Sequence, residues 1–590
     1  MPEAAPERSR MMGGFVLSFF KELEMPPFFS KETKKVYVRN DGRLGQGRTS
    51  PCENACPLGN PIQKMEKAIA EGDAARTLYI LRAVNPFPGV TGRVCPHPCE
   101  EVCNRKCYDE ALSIRALERH ASDAGFSRLR RLNPLPATGR KIAVVGAGPA
   151  GMACAYISAL LGHEVTVFEA SPVAGGVPRQ SIPDFRLPKD VVDREVGVIL
   201  DLGVRILTNT EVGRDISLDE LRARYDACLL AVGNRKERML SIPGIEHALP
   251  AVSFLKNSNL HRESLEGKKV VILGGGGVAF DSAFTARRLG AAQTSLICLE
   301  DRACMRVPAA EVAQADDEDV ALHTGYLAAS IESENGRVRA VTADAVSSFR
   351  FDEAGRLHAE FLPDGKLRVE ADVVICASGL MADLSLLDGG ECAQMERTPR
   401  GGVKTRFAAS SVPGIFAAGE CSSGPSLVSA AIAEGRQAAF EMHAWLTGKE
   451  AGCAVDAWLD EEDRLCLQYL EHKGTQHEVA FEEIVNITHH EKAVRRSTCL
   501  HTAKDTWLAF EELDKGFSEE DAREEAARCL HCGHCQECGE CVASCPGLIL
   551  KPGDGSPAVA YPDECWHCGC CRLACPGACI SFKFPLHTFL

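Results

Sequence analysis

The chain has 590 residues, enough for several domains, and its 45% apolar and 25% charged content is that of an ordinary globular protein. Its net charge of −15 excludes a nucleic-acid binder, because phosphate neutralisation needs clustered Lys and Arg, and suits basic docking partners. No apolar run reaches the ~20 residues of a membrane span. The stretch "MMGGFVLSFF" (Met11–Phe20) is short and lacks a small-residue cleavage site, so it is expected to be buried or partner-facing.

The first element, residues 1–137, reads as a helical segment carrying Cys and Pro. Of 28 cysteines, six lie between Cys52 and Cys107, twelve between Cys529 and Cys579, and ten are scattered singly between. A secreted disulfide scaffold is small and evenly stapled. Clustering at the two ends of a large chain points instead to metal centres in a reducing compartment, hence to the cytoplasm.

Next comes "RKIAVVGAGPAGMACAYISALLGHEVTVFEA" (Arg140–Ala170), a strand, a glycine turn, an Ala-rich helix and a second strand ending in an acid. Gly146, Gly148 and Gly151 hold the G-x-G-x-x-G places, which permit the turn, the approach of a pyrophosphate and helix–strand packing, while Glu169 is placed to meet ribose hydroxyls. A second unit, "KKVVILGGGGVAFDSAFTARRLGAAQTSLICLE" (Lys268–Glu300), repeats the plan with Gly274, Gly276 and Ala279. Its strand ends at Glu300, a carboxylate that accepts from a 2′-hydroxyl and repels a 2′-phosphate, so NADH is expected and NADPH disfavoured; Arg302, two residues on, weighs the other way.

Strands follow over Arg337–Gly379, with hairpin turns expected at "EAGR" and "PDGK", then a strand and helix over Gly414–Leu446. Residues 448–516 read as a connector. The sequence calls for an α/β protein with two Rossmann-like domains, at 138–265 plus 371–447 and at 266–370, between a helical head with clustered cysteines and, on its two cysteine runs, an α+β, bacterial-ferredoxin-like tail at 517–590.

The tail carries C-x₂-C-x₂-C-x₃-C-P twice, at Cys535, Cys538, Cys541, Cys545 and at Cys565, Cys568, Cys571, Cys575. In two-cluster ferredoxins the fourth Cys of each run serves the other cluster. One 4Fe–4S cluster is therefore expected on Cys535, Cys538, Cys541 and Cys575, the other on Cys545, Cys565, Cys568 and Cys571. Paired zinc knuckles are the rival reading. Cys570 and Cys579 fall outside the runs and are expected to be structural.

The stretches "GAGPAG", "AGGVPRQSIPDFRLPKD" (Ala174–Asp190), "LLAVGN" (Leu229–Asn234) and "GIFAAGE" (Gly414–Glu420) resemble the two-dinucleotide-domain flavoproteins. More narrowly they resemble the glutamate synthase small-subunit group, which includes the flavin half of dihydropyrimidine dehydrogenase and the large subunit of the NADH-dependent ferredoxin:NADP oxidoreductase. The resemblance covers about Cys52 to Leu446 and implies FAD in the first site, with Gly175, Gly176, Gly233, Gly419 and Glu420 against it; the family usually has Asp at the last position. It implies NAD(P)H in the second site, and no redox-active disulfide stands beside either.

The resemblance also implies two head clusters. The family's head opens E-A-x-R-C-L-x-C, which is missing ahead of Cys52 but is matched by "EEAARCLHC" at Glu524–Cys532. Cys529 and Cys532 are thus expected to fold back and complete a cluster with Cys52 and Cys103. The alternative is that they are structural. The second head cluster would use Cys56, Cys95, Cys99 and Glu118, with Cys107 as an alternative ligand.

The function expected is that of an electron-transfer flavoenzyme, with no catalytic side chain of its own. It links NADH, through FAD and up to four 4Fe–4S clusters, to a protein redox partner in a hetero-oligomer, either a ferredoxin or a larger catalytic subunit. Alternatives are a glutamate synthase small subunit, a reductase subunit of a sulfite-reductase-type or other anaerobic enzyme, and a cofactor-containing scaffold.

Overall fold

The computed structural model describes residues 36–38, 48–305, 307–352, 356–449, 458–460, 477–498, 510–553, 557–561, 564–565 and 568–582. Met11–Phe20 and the "EAG" of the first expected hairpin turn lie outside them.

The head is helical. Ser50 accepts from the Glu53 amide at 3.3 Å and starts the helix Pro51–Ala55; Asp73 accepts from Arg76 N at 2.9 Å and starts Ala74–Arg82. Helices Pro88–Val94 and Ile114–Gly125 cross at Gly92, where a Cβ would stand 2.6 Å from Arg119 N.

The first nucleotide unit is a five-stranded parallel sheet in the order Ile415–Ala417, Ala227–Leu230, Lys141–Val145, Glu164–Phe168, Arg205–Leu207. Val144 lies opposite Val167 on one side and Leu229 on the other. Helices cover both faces, so the central strands are apolar almost throughout rather than alternating. Helix Val428–Thr447 packs on Pro149–Leu160 through Gly435, whose ideal Cβ would lie 2.0 Å from Ala150 O. The apolar core of this unit is continuous with that of the head.

The second unit is also parallel, in the order Val320–Thr324, Gln293–Cys298, Lys269–Leu273, Val373–Cys376, Leu249–Pro250. Its sheet therefore takes a strand from before residue 266 and one from after 370, beyond the expected segment. Three antiparallel strands, Tyr326–Glu334, Arg337–Phe351 and Leu357–Glu370, stand beside it. Their first turn is Asn335–Gly336, both at positive φ (51° and 74°), the two-residue turn whose twist matches the strands. The turn expected at "PDGK" is not one. The strand continues through it, and the register slips from Asp344↔Lys366 to Val346↔Phe361, so the extra residues bulge out of one long strand.

The tail pairs Leu550–Lys551 with Ala558–Val559 and places helices Glu540–Ala543 and Cys570–Ala574 beside them. Its last strand, Ile580–Phe582, pairs antiparallel with Val36–Val38, joining the two ends of the described chain. Part of the connector ties three bodies together. Phe510 and Leu513 pack on the core of the second unit, Glu512 bonds Arg93 of the head at 2.7 Å, and Phe517, the first residue past the connector, packs on the core that head and first unit share. Among the described residues no helix is long and apolar enough to cross a membrane.

Candidate functional site

The first unit opens a cleft of about 390 Å³ at the C-terminal end of its sheet. It is lined by Gly146, Gly148, Glu169, Gly176, Gly233, Gly419 and Glu420. Gly146 sits at φ +104°, and a Cβ there would stand 2.4 Å from Ala231 O, so the turn admits no other residue without distortion. At Gly148 the only neighbour within 4.0 Å is Gly176 Cα, so any side chain would project into the cleft. Bare backbone on both sides of a helix N-terminus that begins at Pro149 is a cradle fitted to a pyrophosphate.

Gly151 and Gly175 stand behind this wall, where Cβ atoms would meet Gly146 O at 1.9 Å and Arg179 Cβ at 2.7 Å. Glu169 is buried and accepts from Ala147 N at 2.8 Å and Ser171 N at 2.7 Å, which fixes its carboxylate at the mouth of the turn. Glu420 accepts from Ser426 N at 3.2 Å, and burial pushes its carboxyl up. Asn234 and Lys256 also line the cleft. Lys256 comes from Ala251–His261, a helix beside the second sheet, so no local motif could have pointed to it. Glu434 holds Gly419 N at 2.8 Å, securing the loop to helix Val428–Thr447.

In the second unit Gly274 is at φ +136°, Gly276 starts the helix Gly277–Arg288, and Ala279 is buried beneath it. A Cβ on Gly275 would lie 2.8 Å from Glu300 Oε2, so the carboxylate lies over the glycine turn. Arg302 is turned away to Asp316. The two units are clamped at "IPDFRLPK": Arg186 pairs with Asp281 and, at 3.0 Å, with Glu311, both from the second unit.

The structure brings the expected head thiols together in two groups. Cys52, Cys103, Cys529 and Cys532 are all buried, at 6–7% exposure. The charges of Cys103 and Cys532 bear on Cys52, and those of Cys52 and Cys532 bear on Cys529. Burial drives Cys52 and Cys529 well above the usual thiol range and Cys532 to about 12. Arg105 donates to Arg528 O at 2.6 Å, and Asn104 Nδ2 lies 3.4 Å from Cys532 Sγ, so the returning segment is held beside the head.

Cys56, Cys95, Cys99 and Glu118 line a second small cavity. Three donors converge on Glu118 Oε1, from Thr91 at 2.7 Å, Asn85 at 2.9 Å and Asn60 at 3.1 Å, yet burial still raises its carboxyl to about 7. Cys107 is exposed and is not among the residues lining it.

In the tail, Cys535, Cys538, Cys541 and Cys575 line a cavity of about 190 Å³. Cys545, Cys565 and Cys568 bear electrostatically on Cys571, which gathers the other expected set. Cys570 lies beside Cys568. Cys579, read from sequence as structural, lines the same cavity as Cys575. Among the described residues no group of three or more His, Cys, Asp or Glu is disposed to hold a single ion. Soft thiolate donors gathered in fours, with Glu118 in one place, fit iron–sulfur clusters, whose irons supply the positive charge that thiolates need.

Comparison with known proteins agrees with this architecture. Residues 140–435 match the pyridine nucleotide-disulphide oxidoreductase family, and residues 28–129 match dihydropyrimidine dehydrogenase domain II, 4Fe–4S cluster. The chain is 36% identical to the NADP(+)-dependent formate dehydrogenase subunit beta of Moorella thermoacetica over 82% of this chain and 70% of that one. It is 32% identical to the NADPH-Fe(3+) oxidoreductase subunit beta of Geobacter sulfurreducens over 82% and 75%. It is 33% identical to the glutamate synthase [NADPH] small chain of Mycobacterium tuberculosis over 68% and 86%. The chain thus belongs to the pyridine nucleotide-disulphide oxidoreductase family, in the group of FAD- and 4Fe–4S-containing electron-transfer oxidoreductases that includes the glutamate synthase small chain.

Proposed function

We propose that the chain is the NADH-oxidising subunit of a larger assembly, moving electrons from NADH through FAD and four 4Fe–4S clusters to a docked protein partner. The observation that carries this reading is the unbroken succession of sites. Leu427 and Val428, at the start of helix Val428–Thr447, line the FAD cleft, and the next residue, Ser429, lies 3.7 Å from Cys95 Sγ. Cys52 of the other group lies within one short helix, Pro51–Ala55, and Cys56 of this group caps its C-terminal end. Cys532, of the group that holds Cys52, is three residues before Cys535, which lines the first tail cavity. Cys545 then leads to the last group.

When bound, FAD would supply hydride acceptance from a nicotinamide and the clusters would supply one-electron transfer. The protein's own work is to hold and exclude. Gly146, Gly148 and Gly176 bring backbone to the pyrophosphate, and Glu169 is held where ribose hydroxyls are expected. Glu300, over the second glycine turn, accepts from a 2′-hydroxyl. The buried head keeps water from the first two thiol groups, while the tail, with Cys538 and Cys568 exposed, faces the partner.

Related proteins named as beta or small subunits support a protein partner, and the glutamate synthase small chain is the second reading that their names favour. Anaerobic addition of NADH to the cofactor-loaded chain should bleach the flavin absorbance and then raise the EPR signals of reduced clusters. A flavin that stays oxidised with NADH and NADPH alike would leave only a scaffold role.

A further inference from the structure

Five thiols, not four, face the first tail cavity. Cys579 is 4% exposed and lines the same space as Cys535, Cys538, Cys541 and Cys575. Its Sγ lies 3.0 Å from Cys575 Sγ, and its amide nitrogen lies 3.4 Å from that same sulfur. The chain reaches this position through a tight turn with Ala578 at φ +51°, a left-handed conformation costly to a residue with a side chain. The turn is packed from behind: a Cβ on Gly577 would stand 2.7 Å from His531 O, and Gly533 N donates to Gly577 O at 2.6 Å. The segment carrying Cys529 and Cys532 therefore presses the turn, and with it the fifth thiol, toward the cavity. A cysteine serving only as a small apolar residue needs no such aim.

A 4Fe–4S cluster has four irons and takes one terminal ligand at each, so one of these thiols is surplus. We infer that Cys579 is a reserve ligand of the first tail cluster, able to take the iron that Cys575 otherwise holds; this rests on the assignment of a cluster to that cavity. In the exchange an Fe–Sγ bond to Cys579 forms and the Fe–Sγ bond to Cys575 breaks. The proton leaving the Cys579 thiol passes to the released Cys575 thiolate, 3.0 Å away, and no electron changes hands. The arrangement leaves the cluster its fourth thiolate whichever of Cys575 and Cys579 is bound.

The test uses the full chain, produced and purified without oxygen, as Cys575→Ala, Cys579→Ala and the double variant. Iron content and the EPR spectrum of the reduced protein are read in each. Both single variants should keep full iron, with Cys575→Ala showing altered g-values for one cluster, and the double variant should lose about four irons, one cluster's complement. Loss of those irons in Cys575→Ala alone would overturn the proposal, as would full iron in the double variant. Cys535→Ala with Cys538→Ala serves as the control: unchanged iron there would remove the cluster assignment itself, and the reserve ligand with it. The remaining EPR signals report whether each variant has folded.

Discussion

The nucleotide choice proposed above rests on one carboxylate. Glu300 stands two residues past the strand Gln293–Cys298 and lies over Gly275, while Arg302, the nearby cation that would welcome a 2′-phosphate, is committed to Asp316. Hydrogen bonds to charged groups are worth about 1.5–3 kcal/mol, and each ~1.4 kcal/mol is tenfold in affinity. Anaerobic stopped-flow should therefore show flavin reduction by NADH favoured over NADPH by about tenfold to a hundredfold in kcat/KM. Glu300→Ala should narrow that gap from both sides, by weakening NADH and relieving repulsion of NADPH. Equal or better use of NADPH by the unmodified protein would reverse the assignment, a live outcome given that the relatives named above are NADP(H) proteins.

At the scale of elements, helix Val428–Thr447 does two jobs. Its first turn separates the FAD cleft from Cys95, and its middle packs against the helix whose N-terminus faces the pyrophosphate site. The packing is backbone on backbone at Gly435. A methyl group there would meet Ala150 O at 2.0 Å, and neither partner is a flexible side chain that can step aside. Overpacking of this kind costs ~1–3 kcal/mol. Gly435→Ala should lower Tm by several degrees and release flavin on dilution, read as the FAD-to-protein ratio after gel filtration. Retention of full flavin with an unchanged Tm would mean the two helices slide apart without cost. Arg436, the next residue, donates to Leu58 O and Val84 O at 2.8 Å each, so any displacement of the helix also pulls on the head.

At the scale of the whole molecule, the two ends of the described chain are built as one unit. Strand Ile580–Phe582 pairs with Val36–Val38, Arg528 pairs with Asp109 at 3.1 Å, and Cys529 and Cys532 stand among head cysteines. If one cluster closes this junction, Cys529→Ser with Cys532→Ser should remove ~4 irons, one cluster's complement. Cys52→Ser with Cys103→Ser should cause the same deficit, and the four-fold variant should lose no more than either pair, because a single shared site cannot be lost twice. Deficits that simply add would assign the two pairs to separate sites. The tail cluster signals should persist in all three proteins.

The two nucleotide units were legible because each is written within about 30 residues, as a βαβ unit generally is. Glycine places, helix composition and the closing acid are set by local backbone geometry. The tail runs are local in the same way, and the clusters proposed on them follow from a spacing that a short chain uses to wrap a cluster. The "PDGK" stretch misled because turn residues serve a bulge as well as a turn, and only cross-strand register tells the two apart. What tertiary structure alone decided joins residues far apart in sequence: Lys256 in the flavin cleft, Ser429 against Cys95, the connector strapping head to second unit, and Cys579 turned toward the tail cavity. Such contacts leave no spacing or periodicity along the chain. They are selected by which surfaces bury well against each other once the local units have formed, and that is a property of the folded whole.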